Sequence, residues 1–253
     1  MCLIAFALNQ HEEYPFILAA NRDEFYQRKT APLHWWEDHA NILAGRDLEA
    51  MGTWMGMSKE GRFAAVTNYR DLSNIDPSRK SRGDLTKNFL LDQSQGKTYL
   101  EALYEESDNY NGFNLLVGDV KNLYHYSNYE KKINAIPDGI HGLSNSLLNT
   151  PWPKVQWLKD QLKNSLEGPL YPEDLMKLLH NESLAPDDQL PDTGVGYEME
   201  KKLSAACIRM EGYGTCCSTI ILADKKGEVT YYEKTYPVGG RKESEVMERF
   251  VIG

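Results

Sequence analysis

The chain has 253 residues, of which 41% are hydrophobic and 26% are charged, and its formal net charge is -9 at pH 7. This composition is typical of a globular protein and excludes a disordered, collagenous or coiled-coil chain. The acidic balance argues against nucleic acid or anionic lipid as a partner, because Lys and Arg side chains provide the affinity for phosphate polymers.

The sequence predicts a cytoplasmic protein without a membrane span. Its most apolar runs, residues 113–117 and 219–223, have the length of strands and fall far short of the roughly 20 residues that a bilayer requires. The apolar N-terminal segment has no basic residues before it, so we expect no signal peptide. The cysteines show neither a disulfide framework nor a zinc-type spacing, so we expect no metal and no other cofactor.

The first half of the chain alternates between predicted strands and predicted helices. Helical spacing of apolar residues follows Asp84 and recurs around Leu100. Pro32 and the adjacent pair Trp35 and Trp36 indicate a loop. Alternation and turn residues predict strands at residues 3–8, 16–20, 52–57, 62–68, 113–119 and 123–128.

The second half begins with two helices and ends with strands. A proline suited to the first helical turn and apolar residues on one face predict a helix over residues 153–166, and a shorter helix follows over 172–180. Strands are predicted at residues 204–210, 215–223, 228–236 and 245–252. Hairpin-linked strands with helices grouped between them predict one α+β domain of antiparallel sheets over residues 1–253.

Cys2 is the first candidate for chemistry. If Met1 is removed, the free α-amino group of Cys2, with a pKa near about 8, can act as the base for its own thiol. The alternative is that Cys2 is a small apolar residue at the start of a buried strand. Among the other cysteines, Cys216 and Cys217 are neighbours in a predicted strand, so their side chains should point to opposite faces.

Four polar residues, Asn21, Arg22, Asp23 and Glu24, directly follow the apolar run 16–20. A cluster of this kind at the end of a buried strand, close in sequence to Cys2, indicates a site, although solvation at the surface is the alternative. Arg22 and Asp23 could form an ion pair that orients the aspartate or holds an N-terminal amine.

Two isolated asparagines occur in similar contexts. Asn68 and Asn145 each follow an apolar segment and precede a loop. An amide group can donate a hydrogen bond to a developing oxyanion, so both are candidates for such a role. The alternative is that each asparagine caps a turn at the end of a strand.

Taken together, these motifs resemble the NRDE-motif family, also called the Transport and Golgi organisation protein 2 family, nearly from end to end. The resemblance rests on the residues at 1–4, 18–26, 52–56, 67–69, 82–85, 110–115, 142–146, 150–154 and 213–215. This family is similar in turn to N-terminal-nucleophile hydrolases of the penicillin V acylase and bile salt hydrolase type. The resemblance therefore implies a four-layer αββα sandwich of antiparallel sheets.

The resemblance also implies roles for individual residues. Cys2 corresponds to the nucleophile, Asp23 to the carboxylate that holds its amino group, and Asn68 and Asn145 to the oxyanion site. We expect Arg22 to take part in catalysis and Asn21 and Glu24 to bind ligand. The sequence departs from the pattern twice: Ala20 occupies the region where the acylases have an arginine, and Cys216 stands where the family usually has one, a charge that Arg209 could supply instead.

Two functional hypotheses follow. The first is an enzyme in which Cys2 hydrolyses or transfers the acyl group of a linear amide or thioester. The alternative is a non-catalytic member of the fold that binds a small hydrophobic ligand such as haem or an acyl chain. A third possibility, less favoured, is an interaction scaffold in which Trp35 and Trp36 form an exposed docking patch. No oligomeric state follows from the sequence.

Overall fold

The computed structural model describes residues 2–253. Over these residues the chain forms two antiparallel sheets and five α-helices, which confirms the α+β class. The strands are β1 (Cys2–Leu8), β2 (Phe16–Phe25), β3 (Thr30–Trp35), β4 (Ile42–Asp47), β5 (Met55–Ser58), β6 (Arg62–Asn68), β7 (Phe113–Asp119), β8 (Leu123–Ser127), β9 (Lys132–Ala135), β10 (Gly139–Leu143), β11 (Tyr213–Ala223), β12 (Glu228–Thr235) and β13 (Ser244–Val251). The helices are α1 (Gly83–Leu91), α2 (Gly96–Tyr104), α3 (Pro153–Ser165), α4 (Pro172–Leu178) and α5 (Tyr197–Leu203).

The chain divides into two compact units, and each is assembled from separate segments. Unit 1 contains the chain up to Gln27, residues 138–144 and residues 148–249. Unit 2 contains residues 28–137, 145–147 and 250–253.

Unit 1 is built on the six-stranded sheet. The last two residues of β13, 250–251, belong to unit 2. The strand order of the six-stranded sheet is β10-β1-β2-β11-β12-β13. Side chains alternate between the two faces of a strand, and the odd-numbered residues of β1 and β2 face the helices. There they pack with apolar residues of α3 and α4, in a core that includes Leu3, Ala5, Ile17, Ala19, Val155, Leu158, Leu162, Leu175 and Leu179. Helix α3 begins at Pro153, as its sequence predicts.

Unit 2 is built on the seven-stranded sheet, whose strands β3 to β9 neighbour one another in chain order. Helices α1 and α2 cover its core, in which Phe89 and Leu100 pack with Leu115 and Val117. The predicted hairpin of β7 and β8 is present, with Leu116 opposite His125. Short connections join most of these sequential antiparallel strands, whereas the connection from β6 to β7 contains α1 and α2.

The loop predicted around Pro32 is wrong, because this segment forms the edge strand β3. An edge strand tolerates proline, which cannot donate to the ladder, and the register of β3 shifts between Ala31 and His34. Trp36 is buried in the core of unit 2, and its Nε1 donates to the carbonyl of Ala44. Trp36 therefore cannot form part of an exposed docking patch, and Trp35 is half-buried in β3.

The strand predicted over residues 204–210 is also wrong. The chain leaves α5 in a turn, and in this stretch only Arg209 makes an isolated bridge, to Gly214. The apolar residues Ala205, Ala206 and Ile208 are buried here although they do not belong to a β-strand. Periodicity cannot separate a short buried strand from a buried turn, which explains the error.

No helix in residues 2–253 has the length and the apolar character needed to cross a membrane.

Candidate functional site

The four polar residues 21–24 lie inside strand β2, which continues to Phe25 instead of ending at Ala20 as predicted. Alternation along the strand separates them into two pairs. Asn21 and Asp23 share the helix-facing side of the sheet with Ile17 and Ala19, whereas Arg22 and Glu24 lie on the opposite face. The motif thus contributes to two environments within unit 1.

Cys2 lies at the start of β1, directly opposite Arg22. It is buried, and its carbonyl oxygen accepts a hydrogen bond of 2.8 Å from Ser144 Oγ. Burial is the main cause that raises the pKa of its thiol to about 11. The negative charge of Asp23 adds to the increase, and the guanidinium of Arg22 opposes it.

Arg22 stands between two thiols, because it is also directly opposite Cys217 on β11. Its Nη2 lies 3.4 Å from Glu24 Oε2, so its ion pair is with Glu24 and not with Asp23 as the sequence suggested. Between Thr215 and Cys217 the register shifts, which leaves Cys216 as an extra residue in a β-bulge. The bulge breaks the alternation that we assumed for the two neighbouring cysteines.

Asp23 is buried on the helix-facing side. Its Oδ1 accepts a 2.7 Å hydrogen bond from Thr215 Oγ1, which in turn accepts from the backbone N–H of Ile208 at 2.8 Å. Burial raises the pKa of the Asp23 carboxyl, and the positive charge of Lys154 is the strongest influence that opposes the increase.

Neither Lys154 nor Thr215 was singled out as a site residue from the sequence. Lys154 is buried in the first turn of α3. A lysine is unfavourable there, because the positive end of the helix dipole lies at the N-terminus. That conflict is the signal that could have identified it. Thr215 offers no comparable signal, because its partner is distant in sequence.

Asn21 is completely buried, and its side-chain hydrogen bonds are internal to unit 1. Its Nδ2 donates to the carbonyls of Leu179 and Ala206, both at 2.8 Å, and its Oδ1 accepts from Ser218 Oγ. Ser218 Oγ also contacts the hydroxyl of Tyr236 at 2.7 Å. Asn21 therefore ties together the two ends of the segment 179–206, and its expected role in ligand binding stays a prediction.

Asn68 and Asn145 lie together in unit 2. Asn145 Nδ2 donates to the carbonyl of Asn68 at 2.9 Å, and the carbonyl of Asn145 accepts from the N–H of Arg70 at 2.8 Å. Asn114 supports the same loop by donating to the carbonyl of Ser146 at 2.9 Å. The other predicted site residues, Cys2 and residues 21–24, lie in unit 1.

Within residues 2–253, no group of three or more His, Cys, Asp or Glu side chains is arranged to hold a metal ion.

Solved structures define the fold class. A Caenorhabditis elegans N-acylethanolamine-hydrolyzing acid amidase ortholog superposes with a TM-score of 0.52 at 9% identity, over 87% of this chain and 92% of that one. A variant of the conjugated bile acid hydrolase from Clostridium perfringens superposes with a TM-score of 0.51 at 11% identity, over 99% of this chain and 97% of that one. The fold is thus that of the N-terminal-nucleophile hydrolases, as the sequence resemblance implied.

Sequence comparison then gives the family. The model of the Transport and Golgi organisation 2 family matches residues 1–237, and the chain belongs to that family. It is 36% identical to the Transport and Golgi organization protein 2 homolog of Homo sapiens over 257 residues, which cover 93% of each chain. It is 25% identical to Transport and Golgi organization protein 2 of Drosophila melanogaster over 266 residues, covering 93% of this chain and 92% of that protein.

Proposed function

We propose that this protein is a cysteine N-terminal-nucleophile hydrolase that cleaves a linear amide or thioester, with Cys2 as its nucleophile. The observation that supports this most strongly is the register of β1 and β2. Cys2 lies opposite Arg22, so Asp23 follows at the end of β1, where the α-amino group of Cys2 would lie once Met1 is removed. A buried carboxylate beside that amine would hold it as the base.

The reaction on an amide proceeds in two steps. The sulfur of Cys2 bonds to the carbonyl carbon while its proton passes to the α-amino group. That proton then goes to the leaving nitrogen as the C–N bond breaks, which leaves a thioester on Cys2. Water adds to the thioester, the C–S bond breaks, and the carboxylic acid leaves with the thiol restored.

Burial explains why the thiol needs its own base. In the chain that still carries Met1, burial raises the pKa of the Cys2 thiol to about 11, so the thiol holds its proton at neutral pH. Attack by a protonated thiol requires that proton transfer accompany it. Asp23 would stabilise the ammonium that forms, and Lys154 would favour the charged form of Asp23. The proposal keeps the oxyanion roles that the resemblance assigns to Asn68 and Asn145, to be tested with N68A and N145A.

The test combines mass spectrometry with turnover. In freshly purified protein exposed briefly to a limiting amount of alkylating agent, Met1 should be absent and Cys2 should be labelled before Cys207, Cys216 and Cys217. On a panel of amides and thioesters, Cys2→Ser should lose nearly all turnover, whereas the matched variant Cys207→Ser should retain it. Retention of Met1 together with an inert Cys2, or full turnover by Cys2→Ser, would exclude the mechanism.

A second candidate function is non-catalytic binding of a small hydrophobic ligand, such as haem or an acyl chain. The burial and high thiol pKa of Cys2 favour it, since both lower the reactivity of the thiol. On this hypothesis Cys2→Ser leaves ligand affinity unchanged and no substrate turns over.

We also propose a cytoplasmic location for either function. Cys2, Cys207, Cys216 and Cys217 are all free thiols, as is usual in a reducing compartment. Fractionation of cells that express the protein tests this location.

A further inference from the structure

A chain of hydrogen bonds runs from the surface of unit 1 to the buried side chain of Asn21. His180 is exposed just after the end of α4, and its Nε2 lies 2.9 Å from the hydroxyl of Tyr236. That hydroxyl lies 2.7 Å from Ser218 Oγ, which is hydrogen-bonded in turn to Asn21 Oδ1. At the outer end, His180 Nδ1 lies 3.0 Å from the carbonyl oxygen of Met176. Asn21 and Ser218 are completely buried and Tyr236 is nearly so, so the inner contacts must use the protons of the side chains themselves.

The inner end of the chain fixes the direction of its hydrogen bonds. Asn21 Nδ2 donates to two backbone carbonyls, so Oδ1 of the same amide can only accept. Ser218 therefore gives its single proton to Asn21, and Tyr236 must give its own proton to Ser218. Burial raises the pKa of the Tyr236 hydroxyl, so that proton is not lost to solvent. The hydroxyl then has only a lone pair left for His180, so His180 Nε2 must carry the proton of that contact.

The outer end of the chain requires a second proton on the same ring. A carbonyl oxygen can only accept, so the contact with Met176 places a proton on His180 Nδ1. Neutral histidine has a single ring N–H, so all four contacts of the chain form together only when both ring nitrogens are protonated. In the neutral form, either the contact with Met176 or one of the contacts of Tyr236 has no proton. Loss of one proton from His180 therefore breaks one link of the chain.

Charges of both signs surround the ring of His180. Besides Tyr236, the charged and ionisable groups on the neighbouring elements are Lys177, Asp174, Glu182, Arg209, Cys207 and Cys217. Lys177 is paired with Asp174 at 2.7 Å and Arg209 with Glu182 at 3.4 Å, so each positive group has a negative partner. Burial raises the pKa of both thiols, which are therefore neutral. The hydrogen bonds, including one to a carbonyl at the end of a helix, thus decide which form of the ring fits best.

We infer that His180, protonated on both ring nitrogens, is a positioning residue for Asn21. In that form it completes the chain of hydrogen bonds and orients the amide that holds both ends of the segment 179–206. Asn21 shares its face of β2 with Asp23, so the same chain supports the strand beside the carboxyl group of the proposed mechanism. The segment 179–206 is held most tightly at acidic pH and loosens as the pH rises and His180 loses a proton. This role does not require the protein to be an enzyme.

Nitrogen-15 NMR of the histidine rings over a range of pH tests the inference, because the two ring shifts report which nitrogens are protonated. His180 should keep both protons to a pH about one unit higher in the wild type than in Tyr236→Phe, which has no oxygen to accept from Nε2. Ser218→Ala should change the titration in the same direction, because Tyr236 can then donate to a neutral ring. His34, whose Nδ1 contacts the carbonyl of Pro32 at 2.7 Å, is the internal control and should titrate identically in all three proteins.

Amide hydrogen exchange gives the second measurement. Protection factors in the segment 179–206, corrected for the intrinsic exchange rate, should fall about tenfold as His180 loses its proton. His180→Gln should remove this pH dependence, and the control His34→Gln should retain it. Identical titration of His180 in the wild type and both network variants, or protection that does not follow its titration, would overturn the inference. Circular dichroism checks that each variant is folded, and if Tyr236→Phe is not, the result for Ser218→Ala decides.

Discussion

Thr215 donates a 2.7 Å hydrogen bond to Asp23 across the β2–β11 pair, although 192 residues separate them in sequence. This bond links Asp23, whose charge the proposed mechanism uses, to β11 in the last fifth of the sequence. Thr215→Val should lower the free energy of unfolding by about 1–3 kcal/mol, because a buried carboxyl loses a donor. Thr215→Ser keeps the hydroxyl, so its free energy of unfolding should fall by less. Urea denaturation measures both, and equal stability of the valine variant and the wild type would contradict the assignment.

The raised pKa of Asp23 predicts a pH dependence of stability. The folded-state pKa lies above the ordinary value of 3.8, so the contribution of this group to stability is present in full below that value. It is lost as the pH rises through the folded pKa. Asp23→Asn removes the titration, so wild type should lose stability relative to this variant as the pH rises above about 4. Urea denaturation at several pH values gives the difference, and a constant or opposite trend would reject the raised pKa.

Lys154→Met should lower stability and change the reactivity of Cys2. Removing this charge alone leaves the buried carboxyl of Asp23 without the strongest influence that favours its charged form, so the free energy of unfolding should fall. Loss of the positive charge should raise the pKa of Asp23 further. A more nearly neutral Asp23 raises the pKa of the Cys2 thiol less, so the pH profile of Cys2 alkylation should move downward. Lys163→Met, an exposed position on the same helix, is the matched control and should keep the wild-type profile. If both variants gave the wild-type profile, Lys154 would have no influence on the site.

Asn21→Leu should destabilise the segment 179–206, whose two ends Asn21 holds. The leucine cannot replace the bonds to the Leu179 and Ala206 carbonyls, so we expect a loss of about 3 kcal/mol in stability. Amide hydrogen exchange should increase first in that segment. Ser218→Ala removes one bond to Asn21 and should show a smaller effect. Wild-type exchange in Asn21→Leu would exclude this clamping role.

The prediction of one domain over residues 1–253 has a thermodynamic test. Each compact unit contains segments that are distant in sequence, so neither can be cut out as a continuous piece. We expect one cooperative unfolding transition with equal calorimetric and van't Hoff enthalpies. Two resolved transitions would instead show that the units unfold independently.

Local signals in the sequence were sufficient for much of this fold. Pro153 and the apolar face behind it predicted α3, and the hairpin of β7 and β8 followed from its turn. The same kind of signal predicted that β2 ends at Ala20, because polar residues normally mark the end of a buried strand. In the folded protein β2 continues, because Asp23 accepts a hydrogen bond from Thr215 and lies within range of the positive charge of Lys154. Both partners come from distant parts of the chain. No local pattern can reveal such partners.

The β-bulge at Cys216 places a buried thiol between two cross-strand pairs of the candidate site. Thr215 pairs with Asp23 and Cys217 pairs with Arg22, so Cys216 is the extra residue between two fixed pairs. Its side chain is only 2% exposed, and its Sγ donates to the carbonyls of Glu24 and Gly214. A larger side chain there would lose both contacts and would have to be accommodated between the pairs of Asp23 and Arg22.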